Sequence, residues 1–152
     1  MNQVNILYLR DARTLYGGRL NFATPGSAGL DLRACLAEDE LVIAPGERAG
    51  IPAGIAVEPL QPGVAGFVYS RSGLGAVKGL TVAQGVGVID PDYRGELVTW
   101  LLNTSSAPIT VKRGDRVAQL IFQPFARLEP AEARELSATE RGTGGFGHTG
   151  EK

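Results

Sequence analysis

The chain has 152 residues, of which 21 are glycine and nine are proline. This composition excludes a helical bundle, because an interior glycine costs a helix about 1 kcal/mol and an interior proline about 3 kcal/mol. The 15 basic and 16 acidic side chains give a net charge of −1, so no basic surface is available for a long nucleic acid. With 43% hydrophobic residues, the chain is expected to fold as one strand-rich domain.

Short apolar segments separated by turn-forming residues recur along the chain. We predict strands on this basis at residues 4–9, 40–43, 54–58, 66–70, 80–83, 96–103, 109–112 and 116–122. Residues 130–136 are the one stretch with a helical pattern, and we predict a short helix there. This number and spacing of strands is typical of a sandwich, a jelly roll or a barrel.

Several kinds of site are excluded by residues that the chain lacks. The best apolar stretch, residues 97–102, is far shorter than the roughly 18 residues of a membrane span, so we expect no membrane partner. The single cysteine, Cys35, cannot form an internal disulfide, which favours a cytoplasmic location. With only Cys35 and His148, the chain cannot build a Cys/His metal site, so any metal would be a hard cation bound by oxygen atoms.

Two segments at the ends of predicted strands carry reactive or charged groups. Arg71, Ser72 and Gly73 combine a cation, a hydroxyl and an accessible backbone amide, which suits a phosphate, although an ordinary turn with a solvated arginine is the alternative. Asp90 ends an apolar segment just before a turn that contains Tyr93. An aspartate there could deprotonate a water during phosphoanhydride hydrolysis, or it could simply cap the turn.

Two further polar residues lie within apolar segments. Asp31 belongs to an alternating strand-like stretch, where it could pair with Arg33 or bind a divalent cation. Gln119 follows a turn and offers a neutral hydrogen-bonding group on a predicted strand. Either residue alone is also compatible with a purely structural role.

The C-terminal residues 141–150 hold five glycines and one aromatic residue, Phe146. This composition is compatible with a frayed tail, and equally with an arm that becomes ordered over a ligand. The pattern GxGxxG occurs here, but only five residues follow its last glycine, Gly147. A dinucleotide-binding fold needs a helix at that point, so we reject that interpretation.

Taken together, these segments resemble the five motifs of the trimeric dUTP pyrophosphatase (dUTPase) family. The resemblance lies in their order and spacing, which extend over residues 28–150, nearly the whole chain. The matching segments are residues 28–34, 71–74, 87–95, 114–119 and 141–148.

The resemblance implies a fold, an assembly and a reaction. It implies an all-β, jelly-roll-like distorted β-barrel over residues 1–140 and a glycine-rich C-terminal arm, residues 141–152, that closes over the active site within the same domain. The implied assembly is a homotrimer with active sites shared between subunits. The implied reaction converts dUTP and water to dUMP and pyrophosphate with Mg²⁺, which limits uracil in DNA and supplies dUMP for thymidylate synthesis.

The resemblance also implies residue roles around the reacting phosphates. Asp90 would position and activate the attacking water. Tyr93 would pack under the deoxyribose and exclude a 2′-hydroxyl group. Asp31 would bind Mg²⁺ through its water shell. The phosphates would be held by Arg71, Ser72, Gly73 and Gln119.

Two other regions are assigned to the rest of the nucleotide. The hairpin that carries Gln84, Gly87, Val88 and Ile89 would read the uracil edge, largely through its backbone. The arm would contact the substrate through Arg141, Phe146, Gly147 and Thr149, with Phe146 stacked on uracil.

Two other functions are compatible with the same fold. The related dCTP deaminases use a glutamate in the strand after the third motif, where this chain has Trp100 and no carboxylate in residues 97–103. We therefore expect no deamination. A nucleotide-binding protein without catalysis is the second alternative, and it is disfavoured because Asp90, Tyr93, Arg71 and Ser72 are all present.

Overall fold

The computed structural model describes residues 3–145, and the regular structure in this range is almost entirely β. The elements in chain order are β1 (Val4–Tyr8), α1 (Ala12–Leu15), β2 (Leu30–Arg33), β3 (Glu40–Ile43), β4 (Arg48–Pro52), β5 (Ile55–Pro59), β6 (Val64–Ser70), a π-helical segment (Gly73–Lys78), β7 (Leu80–Val82), β8 (Gly87–Ile89), β9 (Val98–Asn103), β10 (Ile109–Lys112) and β11 (Arg116–Pro124). The all-β prediction is confirmed.

The strands form four small antiparallel sheets around one hydrophobic core. Their strand orders are β2-β11-β6-β8, β4-β9-β7, β1-β5 and β10-β3. In each sheet, alternate side chains point toward the core. Fully buried residues from different strands pack together there in one hydrophobic cluster. Representative members are Leu32, Ile51, Ile55, Leu101 and Leu120.

All eight predicted strands are present, with ends that shift by at most two residues. The strand β4 escaped the sequence pattern because Gly50 and Pro52 are poor strand formers. Gly50 nevertheless suits this position, because a Cβ there would lie 3.2 Å from the Trp100 ring of the neighbouring β9 and the ring would have to shift.

The predicted helix at residues 130–136 is wrong. These residues form neither helix nor strand, and all of them are exposed. A segment of this length does not hold a helix in water unless one face packs on the protein. None of the helices described within residues 3–145 is long and apolar enough to cross a membrane.

The sheet β2-β11-β6-β8 determines where the predicted site residues lie. Its central strand places Gln119 opposite Asp31 of β2 on one side and opposite Tyr69 of β6 on the other. On the far edge of β6, Ile89 of β8 is opposite Gly66. The residues that follow β6 and the residues that follow β8 therefore leave the sheet at opposite ends, because the two strands are antiparallel.

Candidate active site

A cleft of about 300 Å³ lies where the C-terminal end of β6 approaches β2 and the first half of β11. Its lining includes Asp31, Arg71, Ser72, Gly73, Arg116 and Gln119. The residues that were predicted to contact phosphates, together with the predicted Mg²⁺-binding residue, are thus neighbours around one cleft.

Two arginines converge on Asp31 in this cleft. Arg71 donates from Nε to Asp31 Oδ1 at 2.9 Å, and Arg116 donates from Nη1 to Asp31 Oδ2 at 3.0 Å. The Asp31 side chain is only 20% exposed, so the pairs are partly shielded from water. Two guanidinium groups around one carboxylate leave a net positive charge, which suits a phosphate group.

Arg116 was not predicted from the sequence to be a site residue, because its side chain reaches the cleft only through a bulge in β11. The pairing of β11 with β2 shifts register between Arg116 and Ala118. In a regular strand, residues 116 and 119 would face opposite sides of the sheet, whereas one extra residue lets both line the cleft. Arg71 also donates from Nη1 to the Arg116 carbonyl at 3.1 Å, which ties the two segments together.

Gln119 is held in place by its neighbours. Its Nε2 donates to the Ser70 carbonyl at 3.0 Å. On the other side of the amide, a Cβ on Gly29 would lie 2.9 Å from Gln119 Oε1, so the close approach depends on glycine. Ser70 is itself fixed, because its hydroxyl accepts a hydrogen bond from the Val82 amide at 2.8 Å. The cleft is therefore preformed within one chain.

Asp90 and Tyr93 lie on an exposed turn that follows β8. The Tyr93 amide donates to the Asp90 carbonyl at 3.1 Å and closes this turn. Both side chains are exposed, and among the described residues the Asp90 carboxylate makes no hydrogen bond or ion pair. The Tyr93 ring lies against Gly95, where a Cβ would overlap it, and its hydroxyl donates to the Glu96 carbonyl at 3.1 Å.

Glu96 anchors the end of this turn. Its carboxylate accepts hydrogen bonds from both terminal nitrogens of Arg10 and from the Gly54 amide, the last at 2.8 Å. The guanidinium of Arg10 holds the pKa of Glu96 below its usual value, and the Gly54 hydrogen bond acts in the same direction. Nothing in the sequence pattern pointed to this pair, since Arg10 and Glu96 are 86 residues apart.

The hairpin before Asp90 presents a mixture of exposed and buried residues. Gln84 and Val88 are exposed, Ile89 is half-buried and Gly87 is buried. A Cβ on Gly87 would lie 3.2 Å from Val68 Cβ, so the glycine lets β8 lie close to β6. The exposed backbone edge of this hairpin is the part that could meet a planar base.

Within one chain, the structure does not bring the two groups of residues together. Asp90 follows Ile89, which pairs with Gly66, whereas Arg71 follows Ser70 at the other end of β6. Asp90 and Arg71 therefore lie about 20 Å apart along β6, at a rise of roughly 3.3 Å per residue. The cleft and the Asp90 turn are separate features of the monomer.

The predicted arm is described only in part. Arg141 is exposed, and its Nε donates to the Gly144 carbonyl at 2.9 Å within the arm itself. The predicted contacts of Phe146, Gly147 and Thr149 lie outside the described residues.

Asp31 is the residue most suited to face a metal ion. Residues 3–145 contain no cluster of three or more His, Cys, Asp or Glu side chains that could surround a cation. Each oxygen of Asp31 accepts one arginine hydrogen bond, so roughly half of the acceptor positions of the carboxylate remain. These positions fit hydrogen bonds from metal-bound water, and most of the direct ligands would have to come from a substrate.

Comparisons with known proteins identify the family of this chain. A family model described as dUTPase matches residues 17–150. A deoxyuridine 5′-triphosphate nucleotidohydrolase from Desulfitobacterium hafniense is 51% identical over 129 residues, which cover 85% of each chain.

Solved structures show the same fold. A variant dUTPase of Staphylococcus bacteriophage 80alpha, solved with dUpNHpp, has a TM-score of 0.83 at 24% identity and covers 99% of both chains. A variant of the dUTPase from phage phi11 of S. aureus, whose structure reveals coordination of a structural Mg(II) ion, has a TM-score of 0.76 at 21% identity over 90% of this chain and 100% of that chain. The predicted jelly-roll-like β fold is confirmed. The family prediction is also confirmed: the chain belongs to the dUTPase family.

Proposed function

We propose that this protein hydrolyses dUTP to dUMP and pyrophosphate. The observation that carries the proposal is the cleft in which Asp31, Arg71, Ser72, Gly73 and Gln119 meet. Its net positive charge suits a triphosphate, and membership of the dUTPase family specifies the nucleotide. In this proposal, dUMP formed by the enzyme supplies thymidylate synthesis, and removal of dUTP limits uracil in DNA.

The phosphates occupy the cleft in the proposed complex. Arg71 offers a charged donor, while the Ser72 hydroxyl, the Gly73 amide and the Gln119 amide offer neutral ones. Arg116, which lies in the segment 114–119 but was assigned no role there, adds a second guanidinium. Because Asp31 already neutralises part of this charge, the arginines are held in place before the substrate arrives.

The nucleoside is bound by the hairpin and turn of a neighbouring subunit. The backbone at Gly87, Val88 and Ile89, with Gln84 beside it, reads the uracil edge. Tyr93 packs under the deoxyribose and leaves no room for a 2′-hydroxyl group. Its ring has limited freedom to retreat, because it already rests against Gly95.

The proposed assembly is the homotrimer with shared sites that the family resemblance implies, and the distance between these two regions supports the sharing of sites between subunits. Asp90 and the cleft lie about 20 Å apart in one chain, so a single nucleotide would be served by the cleft of one subunit and the turn of another. The arm, with Arg141, Phe146, Gly147 and Thr149, then closes over the bound nucleotide. We also propose a cytoplasmic location, in keeping with the free, buried Cys35.

Asp90 supplies the base in the proposed reaction. Its carboxylate orients a water molecule and accepts a proton from it as the new P–O bond forms. The bond between the α- and β-phosphates breaks, and pyrophosphate leaves with the bonding electron pair. Phosphoryl transfer depends mainly on positioning and charge stabilisation, so no covalent intermediate on the protein is needed.

Mg²⁺ is the proposed cofactor, and it would enter with the triphosphate. When bound, it would neutralise phosphate charge and polarise the phosphate oxygens. Asp31 would hold it by accepting hydrogen bonds from its water shell, which fits the acceptor positions that the arginines leave available. The phage phi11 dUTPase, a protein of the same fold, binds a structural Mg(II) ion, which is compatible with this proposal.

The proposal is tested by measuring pyrophosphate release from dUTP, UTP, dTTP and dCTP, each with and without Mg²⁺. We expect turnover of dUTP alone, and a strong dependence on Mg²⁺. Ammonia release from dCTP would instead identify a deaminase. Tight binding of dUTP without pyrophosphate release would identify a regulatory protein.

A further inference from the structure

Glu96 joins the proposed substrate-binding turn to the core of the barrel. Its backbone carbonyl accepts the hydrogen bond from the Tyr93 hydroxyl at 3.1 Å. The next residue, Leu97, is 1% exposed, and its amide donates to the Ile55 carbonyl at 2.8 Å. Leu97 is therefore fixed in the core, and the conformation of Glu96 determines where the turn and its tyrosine point.

The side chain of Glu96 is held from two directions at the end of the β1-β5 sheet. Arg10 approaches it with two parallel hydrogen bonds, the geometry in which a guanidinium and a carboxylate pair most strongly. The Gly54 amide donates to the same carboxylate at 2.8 Å. The Glu96 side chain is 21% exposed, so this anchor is partly shielded from solvent.

Arg10 adopts an unusual backbone conformation to reach this position. Its φ of +52° lies in the left-handed region, and no other non-glycine residue within 3–145 has a positive φ. Residues held in this region are strained unless the surrounding structure compensates, and they are concentrated at functional sites. The hydrogen bonds between the Arg10 guanidinium and Glu96 are contacts that can offset the cost of this conformation.

The Tyr93 ring depends on the same short segment. Its hydroxyl bonds to the Glu96 carbonyl, and the hydroxyl end of its ring lies against Gly95, where a Cβ would overlap it. Both contacts are made with the backbone of residues 95 and 96, and that backbone is held by the carboxylate of Glu96. The chain of contacts therefore runs from Arg10 through Glu96 to the tyrosine.

We infer that Arg10 and Glu96 are positioning residues for Tyr93, and that they determine how strongly the enzyme prefers dUTP over UTP. The inference rests on the proposed function, in which Tyr93 excludes the 2′-hydroxyl group. Arg10 and Glu96 act on the substrate only through the tyrosine, so their loss should affect the choice between the two nucleotides more than it affects the fold.

The main test compares the kcat/KM values for dUTP and UTP in the parent and in Arg10→Gly. Glycine tolerates the positive φ, so this variant removes the ion pair without adding backbone strain. We expect the ratio of the two kcat/KM values to fall by about tenfold to a hundredfold, the effect of a misplaced positioning group. Gly95→Ala displaces the Tyr93 ring directly and should lower the same ratio. Glu96→Gln keeps an acceptor for the Gly54 amide and should lower the ratio less.

Asp11→Asn is the matched control. Asp11 pairs with Arg113 directly beside Arg10, yet neither residue contacts Glu96 or Tyr93 among the described interactions. We expect this variant to keep the parental ratio. If the ratio of kcat/KM for dUTP to that for UTP in Arg10→Gly stays within about twofold of the parental ratio, the inference is overturned. That result would show that Tyr93 does not depend on the Arg10–Glu96 pair.

A measurement without substrate separates this inference from the proposed function. The NMR signal of the Tyr93 ring, assigned through Tyr93→Phe, should shift or broaden in Arg10→Gly and remain unchanged in Asp11→Asn. An unchanged signal in Arg10→Gly would overturn the positioning role even if dUTP is the substrate. A parent that fails to hydrolyse dUTP would overturn the proposed function, while the NMR comparison would still decide the role of Arg10 and Glu96.

Discussion

The two ends of strand β6 present their functional groups in different ways. At the Ser70 end, Asp31, Arg71 and Gln119 are half-buried and hydrogen-bonded to one another or to backbone carbonyls. At the Gly66 end, Asp90 lies on an exposed turn and makes no side-chain hydrogen bond among the described residues. The chain forms its positively charged cleft by itself, whereas the group proposed to react lies on an exposed turn, where another subunit can meet it.

The largest effect should follow from Asp90→Asn, which removes the proposed base and leaves the cleft unchanged. We expect kcat for dUTP to fall by about 10²- to 10⁴-fold, the usual contribution of a positioned base. Nucleotide binding, measured by calorimetry, should persist. Asp92→Asn, in the same exposed turn, is the control and should retain most of the activity. If Asp90→Asn hydrolysed dUTP as fast as the parent, Asp90 would not be the residue that activates the water.

Removal of residues 141–152 should leave both ends of β6 intact while it removes the proposed closure of the site. We expect activity to fall by about a hundredfold, because the substrate would be less well positioned. Sedimentation should still show a folded trimer. A truncated protein that is monomeric or aggregated would instead indicate a structural role for this segment.

Gly29→Ala should damage the cleft and leave the Asp90 turn unaffected. The added Cβ would lie 2.9 Å from Gln119 Oε1 and push the amide away from the phosphates. We expect KM for dUTP to rise by about tenfold, in line with the loss of one hydrogen bond to a charged group, with little change in kcat. Gly26→Ala is the control, since a Cβ there meets nothing within 4 Å, and it should keep the parental KM.

The smallest expected effect concerns the pH dependence of stability. Arg10 lowers the folded-state pKa of Glu96 from 4.5, so the pair contributes stability above that pH and loses it as the pH falls through the lower folded-state value. Urea unfolding midpoints should therefore decline less steeply in Glu96→Gln than in the parent as the pH is lowered below about 4.5. Equal slopes in the two proteins would mean that the Arg10–Glu96 pair adds no stability.

Most of the strands could be predicted from the sequence because their apolar residues alternate or cluster between turns. The strand β4 could not, since Gly50 is explained only by the Trp100 ring on the neighbouring strand. The helix predicted at residues 130–136 was wrong for the opposite reason, because there the local pattern was favourable and the packing was missing. A favourable local pattern does not produce a helix when no packed face stabilises it.

The candidate site was predictable only where its residues belong to recognisable motifs. Arg71 and Gln119 could be placed in advance, whereas Arg116, although it lies in the segment 114–119, reaches the cleft through a bulge that no periodic pattern predicts. Arg10 and Glu96 are joined only by the folded structure. The sequence was therefore informative about groups expected to touch the substrate, and uninformative about the groups that support them.

In the proposed trimer, the separation of Asp90 from the cleft lets one assembly combine a defective part of one chain with the intact part of another. A chain with Asp90→Asn keeps its cleft, and a chain with Arg71→Ala keeps its Asp90 turn. A trimer built from only one of these two variants would have no complete site. When the two are co-expressed, some interfaces would join the intact cleft of one to the intact turn of the other, so two inactive alleles would complement each other.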